Sequence, residues 1–223
     1  MNLERKVALS LVFGIIGLIL FWPLGILAIY LGYSARKNGV KGKKPVIGII
    51  LGIIAIIGGI FAHQIVTLIV YPTLGRIFNT NYPIVNFVSE SMGHNSNFDD
   101  WWNSNGKWYT DNGISKELFI NFPLQNGVNR GDLAIIEGAE PDKIQMGDVI
   151  IFWSGKKEPI PHRVIKKWIE GNETYFGTKG DHNPGQIKTE TLDETKINSN
   201  QIIGKVVFRI PYLGYPKIWV SGT

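Results

Sequence analysis

Ser91 carries the first hydroxyl that invites a chemical reading, in the segment Ser89-Glu90-Ser91-Met92. A serine hydroxyl is a poor nucleophile near neutral pH and needs a base within hydrogen-bond reach. The chain offers four imidazoles, His63, His94, His162 and His182. His162 lies in Pro159-Ile160-Pro161-His162-Arg163-Val164-Ile165, at the entry to a strand-like run, where a rigid element can fix its ring. A carboxylate orienting that ring would complete a triad. Asp181, in Thr178-Lys179-Gly180-Asp181-His182-Asn183, is the candidate. Spacing alone does not single it out, because Gly131-Asp132 and Gly147-Asp148 repeat the same dipeptide. Two other chemistries use the same stock of residues. His94, His162, His182 and Asp181 could ligate a metal, but no His-x-x-x-His or comparable spacing appears, so no metal site is expected. Lys156 or Lys157 could serve Ser91 in a serine–lysine dyad. With no cysteine, the chain has no thiol nucleophile, no Cys-based zinc site and no disulfide framework.

The elements that must position these groups begin with a membrane part. No charged residue occurs from Val7 to Ala35, nor from Pro45 to Gly75. About 20 apolar residues cross a hydrocarbon core roughly 30 Å thick. Residues 1–75 are therefore expected to form a two-helix transmembrane hairpin, with spans at 7–35 and 45–75. Pro23 should kink the first span. The net charge of +5 looks like a nucleic-acid signal until it is located. Up to Arg76 there are eight basic residues and one acid, whereas the remainder has 15 basic and 17 acidic residues. The basic excess belongs to the membrane part, with five of those charges in loop 36–44, so no nucleic-acid partner is expected. The positive-inside rule puts that loop in the cytoplasm and everything after about residue 75 outside. Arg5 and Lys6 run against this topology. Neither apolar run has the short core and small-residue exit of a cleavable leader, so both are expected to be permanent anchors.

Residues 76–223 read as a mainly-β extracytoplasmic domain. Short β-branched or aromatic runs at 132–136, 148–153, 163–169, 173–176 and 201–210 are bounded by Gly, Asp, Asn and Pro. That pattern predicts a small antiparallel barrel or sandwich. An insert at about 94–130 interrupts it, rich in Asn, Gly and aromatics, with Ser115 as the cap of a short helix. Its tryptophans are expected to fill a small core of the insert's own, the alternative being a lipid interface.

In order along the chain, Ser89-Glu90-Ser91-Met92, Gly131-Asp132, Gly147-Asp148-Val149-Ile150-Ile151-Phe152, His162-Arg163-Val164-Ile165 and Thr178-Lys179-Gly180-Asp181 resemble the boxes of type I signal peptidases. The closing Ile203-Gly204-Lys205-Val206 fits as well. The resemblance covers about 83–210, with the insert added after the nucleophile box. Where bacterial members carry a lysine base, this chain has His162, as in the archaeal and endoplasmic-reticulum branch. The resemblance implies a membrane-bound serine endopeptidase that removes signal peptides from translocated precursors and needs no cofactor. It implies Ser91 as nucleophile, His162 as general base and Asp181 as the third member. Ser89 and Met92 of the same box would help form the oxyanion and substrate site. The implied partners are secretory precursors with small residues at the first and third positions before the cut, the lipid bilayer and the translocation machinery. The implied location is a plasma membrane of archaeal type, crossed more than once.

Three departures accompany the match. Gly93-His94 stands where Glu-Pro is usual, the insert is long, and the second aspartate often found beyond the Lys-Gly-Asp box is missing from Pro184-Gly185-Gln186-Ile187-Lys188. Glu190 and Asp193 are the candidates to replace it. A tethered, non-catalytic peptide-binding module with the same fold is the alternative function.

Overall fold

The computed structural model describes residues 3–19, 23–155 and 158–221. The chain divides into two units, Met1–Pro72 and Thr73–Thr223. In the first, the run expected to be one kinked span is two helices, α1 (Leu3–Ile19) and α2 (Leu24–Lys37). Pro23 precedes the first residue of α2, where a missing N–H costs nothing, so the proline starts a helix rather than bending one. The Phe21-Trp22 part of the expected span lies outside the described residues. Helix α3 (Lys44–Ile65) continues through a π-helical turn, Val66–Val70, into α4 (Tyr71–Ile77). This continuous Lys44–Ile77 helix is the one described helix long and apolar enough to cross a membrane. The expected two-helix hairpin is thus replaced by three packed helices.

The second unit is built on one seven-stranded antiparallel sheet, in the order β1-β2-β7-β3-β4-β5-β6. Its strands are β1 (Ile84–Asn86), β2 (Leu133–Glu137), β3 (Val149–Phe152), β4 (Ile160–Glu170), β5 (Glu173–Lys179), β6 (Ile197–Asn198) and β7 (Ile202–Ile210). Side chains alternate between the two faces of a strand, and β3 uses both. Val149 and Ile151 enter one core with Phe87, Met92, Ala134, Ile136 and Val206. Ile150 and Phe152 enter a second with Ile144, Val164, Phe176, Leu192 and Ile197. All four β3 residues are buried, which explains why this run is continuously apolar.

The insert folds as a helical subdomain. Helix α5 (Phe98–Asp111) starts at Asn97, whose side chain accepts from the Asp100 N–H at 3.0 Å. Helix α6 (Lys116–Phe119) starts at Ser115, whose hydroxyl accepts from the Leu118 N–H at 3.3 Å. Both side chains satisfy first-turn donors that would otherwise lack a partner, Ser115 as expected and Asn97 in a helix not anticipated from sequence. Trp101, Tyr109, Ile114, Phe119 and Phe122 form the insert's own core. A last helix, α7 (Tyr215–Ser221), follows β7.

Candidate active site

Ser91 follows β1 in a tight turn closed by the Gly93 N–H to the Glu90 carbonyl at 2.9 Å. The segment beyond β5 holds this turn from behind. The His182 N–H donates to the Ser91 carbonyl at 2.9 Å, and the Asp181 N–H to Met92 Sδ at 3.4 Å. Met92 is fully buried in the first core, and its carbonyl accepts from the Val128 N–H at 2.9 Å. Met92 therefore anchors the turn by packing, leaving the partly exposed Ser91 at its surface. The Ser89 and Ser91 hydroxyl oxygens lie 3.1 Å apart.

His162 sits on β4 opposite Ile150 of β3 and is buried. Its Nδ1 is hydrogen-bonded to Glu194 Oε1, so a carboxylate does occupy the orienting position, though from a residue not expected there. Glu194 is itself buried and fixed on every side. Its Oε2 accepts from the Ile187 N–H at 2.6 Å, and its Oε1 from the Thr178 hydroxyl at 3.2 Å. Its backbone exchanges hydrogen bonds with Ile187 and Thr178 at 2.9 and 2.8 Å. The two acids proposed from sequence lie elsewhere. Glu190 is exposed, and Asp193 accepts from the Thr195 N–H at 2.9 Å.

Asp181 does not face His162 Nδ1. Its two oxygens accept four hydrogen bonds: Arg163 Nε at 2.9 Å and Nη2 at 2.6 Å, the Tyr109 hydroxyl at 2.8 Å and His94 Nε2 at 2.9 Å. The reason lies in strand geometry. Consecutive residues of β4 project to opposite faces, so a carboxylate paired with Arg163 is on the wrong face to steady His162. Arg163 is wholly buried, and its remaining donors go to the carbonyls of Pro123, Leu124 and Gly147 at 2.7 to 2.9 Å. Asp181 thus ties together the strand bearing the imidazole, the Ser91 turn through His94, and the insert through Tyr109.

The electrostatics follow from this pairing. Burial pushes the Asp181 carboxyl up, but Arg163 and the hydrogen bonds outweigh it and hold Asp181 well below the usual carboxylate range. Burial, reinforced by Asp181, drives the Tyr109 phenol well above its ordinary value. Burial lowers His94 despite its Asp181 bond. The ring of His94 stacks on Trp101 with centroids 3.6 Å apart, and its Nδ1 has no hydrogen-bond partner. Lys179, buried between the Trp108 and Tyr109 rings and the Gly180 carbonyl, is lowered to about 8 by desolvation.

Gly180 explains how the two halves come so close. A Cβ at this position would stand 2.8 Å from His162 Nε2, 2.8 Å from the Ser91 carbonyl oxygen and 2.6 Å from Asn183 Nδ2. The bare α-carbon leaves room for the ring nitrogen not held by Glu194 and for the Ser91 carbonyl on either side of Gly180. Lys156 and Lys157, the dyad alternatives, lie outside the described residues.

A partly exposed serine on a tight turn, beside a buried imidazole held by a buried carboxylate, has the parts of a serine hydrolase site. The chain is a homologue of catalytic subunits of the signal peptidase complex. It is 33% identical over 107 residues to the signal peptidase complex catalytic subunit SEC11 of Colletotrichum graminicola, covering 47% of this chain and 62% of that one. To the SEC11 subunit of Pyricularia oryzae it is 28% identical over 115 residues, covering 50% and 67%. The Schizosaccharomyces pombe subunit is 29% identical over 127 residues, covering 47% and 66%. The match therefore spans about six tenths of the length of the first of these relatives. No family model matches the chain.

Proposed function

We propose that the protein is a membrane-bound signal peptidase, a serine endopeptidase that cuts signal peptides from translocated precursors. The observation that carries this reading is the His162–Glu194 pair, with the other ring nitrogen of His162 and the Ser91 carbonyl both lying against Gly180, in a chain similar to SEC11 catalytic subunits.

In the proposed reaction the precursor's cleavage-site carbonyl meets Ser91. The hydroxyl turns from Ser89 toward His162, gives its proton to Nε2 and forms the new C–O bond. The Ser91 N–H and the Ser89 hydroxyl donate to the developing oxyanion, an interaction worth about 10² to 10³ in rate per donor in comparable sites. Glu194 accepts from Nδ1–H, which keeps Nε2 as the basic nitrogen and stabilises the imidazolium once it forms. The imidazolium protonates the leaving amine as the C–N bond breaks. A water then attacks the acyl-enzyme with His162 again as base, releasing the signal peptide's new carboxylate and the free serine. In this scheme Asp181 is a positioning residue. Serine acyl transfer of this kind uses protein groups and water alone.

The domain division at about residue 75, the cytoplasmic basic loop, the extracytoplasmic peptidase domain and a plasma-membrane location are part of the same proposal. They rest on the Lys44–Ile77 helix and on the placement of the basic residues. The expected partners belong to it as well: the bilayer, the translocation machinery, and secretory precursors with small residues before the cut, the last supported by the similarity to signal peptidase complex catalytic subunits. The test is cleavage of a secretory precursor by the full chain in detergent, with Ser91→Ala as control. A precursor that binds wild-type protein and is never cut would favour the tethered binding module instead.

A further inference from the structure

The polar contacts between α1 and α2 fix how the first apolar run is threaded. Lys6 Nζ donates to Ser34 Oγ at 2.8 Å, and one turn further Ser10 Oγ donates to the Ala28 carbonyl at 2.8 Å. As numbers rise along α1 they fall along α2, so the two helices are antiparallel. The end of α1 that carries Arg5 and Lys6 lies level with the end of α2 that carries Arg36 and Lys37. Helix α3 starts at the same level. A Cβ on Gly32 would meet the Pro45 carbonyl at 2.7 Å and Ser10 Oγ at 2.8 Å. Deeper in, a Cβ on Gly25 would meet the Gly52 carbonyl at 2.5 Å, and one on Gly14 would meet Leu51 Cβ at 2.8 Å. Small residues let helix backbones approach this closely, which is how helices associate where no hydrophobic force separates them from lipid.

Length decides how far the pair reaches. The apolar part of α2, residues 24–35, rises about 18 Å at roughly 1.5 Å per residue. A hydrocarbon core is about 30 Å thick, so this pair does not reach the far side. Charge decides which face it enters from. The 36–44 segment carries five exposed basic residues, Arg36, Lys37, Lys41, Lys43 and Lys44. The antiparallel pairing adds Arg5 and Lys6 to that end. Glu4 is the single carboxylate before Glu90.

We propose that α1 and α2 form a re-entrant hairpin whose open end lies at the membrane face of the 36–44 segment. There Arg5 and Lys6 complete a binding surface for anionic phospholipid headgroups. Seven cations at one membrane edge match the chemistry of an anionic headgroup layer. The conflict between Arg5, Lys6 and the positive-inside rule disappears, because all of them are on one side. This proposal rests on the membrane reading above and not on the peptidase reading, and its tests need no activity.

The chain has no cysteine, so single cysteines report sidedness cleanly. Glu4→Cys, Asn38→Cys and Asn172→Cys, each in the full chain in sealed membrane vesicles, are treated with a membrane-impermeant maleimide. Positions 4 and 38 should label from one face and position 172 from the other. Position 4 labelling with 172, opposite 38, would mean that residues 7–35 cross the membrane once, and would overturn the hairpin. Headgroup binding is read from the melting temperature of the full chain in phosphatidylcholine nanodiscs with and without phosphatidylglycerol. Phosphatidylglycerol should raise it, and Arg5→Gln should reduce the rise about as much as Lys41→Gln does. No rise with wild-type protein, or a rise that Arg5→Gln leaves intact while Lys41→Gln reduces it, would remove Arg5 from the surface and refute the proposal.

Discussion

Replacing Glu194 with glutamine changes one oxygen to a nitrogen in a fully enclosed site. The Ile187 N–H, 2.6 Å from Oε2, demands an acceptor, so the new amide must keep its oxygen there. Its NH₂ group then falls where Oε1 now meets His162 Nδ1. A donor at that place forces Nδ1 to accept, which moves the ring proton to Nε2, the nitrogen that must take the proton from Ser91. The ring stays in place but is in the wrong tautomer, and the imidazolium loses its counter-charge. Where an orienting carboxylate is replaced by its amide in this way, the rate falls by about 10⁴, which corresponds to about 5 kcal/mol of transition-state stabilisation at 1.36 kcal/mol per decade. Single-turnover cleavage of a secretory precursor should therefore show kcat for Glu194→Gln down by about three to four decades, with KM nearly unchanged. Thermal unfolding should shift only modestly, since the hydrogen-bond count is kept. A variant within tenfold of wild type would refute the assignment of Glu194, and Asp181 would again be the acid to test.

Four further outcomes follow from the same geometry. Asp181→Ala leaves Arg163 buried without its counter-charge, so it should lower unfolding stability by about 3 to 5 kcal/mol; chemical denaturation of the full chain in detergent measures this. Tyr109→Phe removes one buried donor to the same carboxylate and should cost about 1 to 3 kcal/mol, read in the same assay with kcat largely retained. Gly180→Ala drives a methyl to within 2.8 Å of His162 Nε2 and the Ser91 carbonyl, so precursor cleavage should fall at least tenfold. His94 is held neutral by burial, its folded pKa lying below its ordinary value near 6.5. In the window between the folded value and about 6.5 the unfolded chain binds the proton and the folded one does not, so stability falls as pH drops through it. His94→Asn should flatten the thermal-melt pH profile there, and an unchanged slope would speak against His94 as its source.

Much of the sheet could be read from local pattern, because its strands carry their own signal. Val149-Ile150-Ile151-Phe152 and the β7 run are β-branched and end at turn residues, and both are strands. Ser115 announced its helix because capping is a contact within four residues. The serine and the imidazole were legible as residue types in ordered boxes. Glu194 was not. It reaches His162 across 32 positions, and nothing in Leu192-Asp193-Glu194-Thr195 distinguishes a buried orienting acid from a solvated one. Asp181 was singled out as the acid for His162, but in the structure its partners are Arg163, Tyr109 and His94, a choice made by contacts 18 to 87 positions away that the local sequence does not show. The first apolar run misled for another reason. Its length fits one crossing, and the decision to fold back is made by Ser10, Gly25 and Gly32 meeting residues of other helices. The α5 helix was hidden by an Asn- and Gly-rich composition that its tertiary core overrides.

The central claim is that Ser91 is the nucleophile of a signal peptidase. The most direct measurement incubates the detergent-solubilised full chain, wild type and Ser91→Ala, with a secretory precursor and identifies the products by mass. Wild-type protein should release the mature chain and the intact signal peptide, and Ser91→Ala, equally folded by thermal melt, should release neither. Equal cleavage by both proteins would contradict the account.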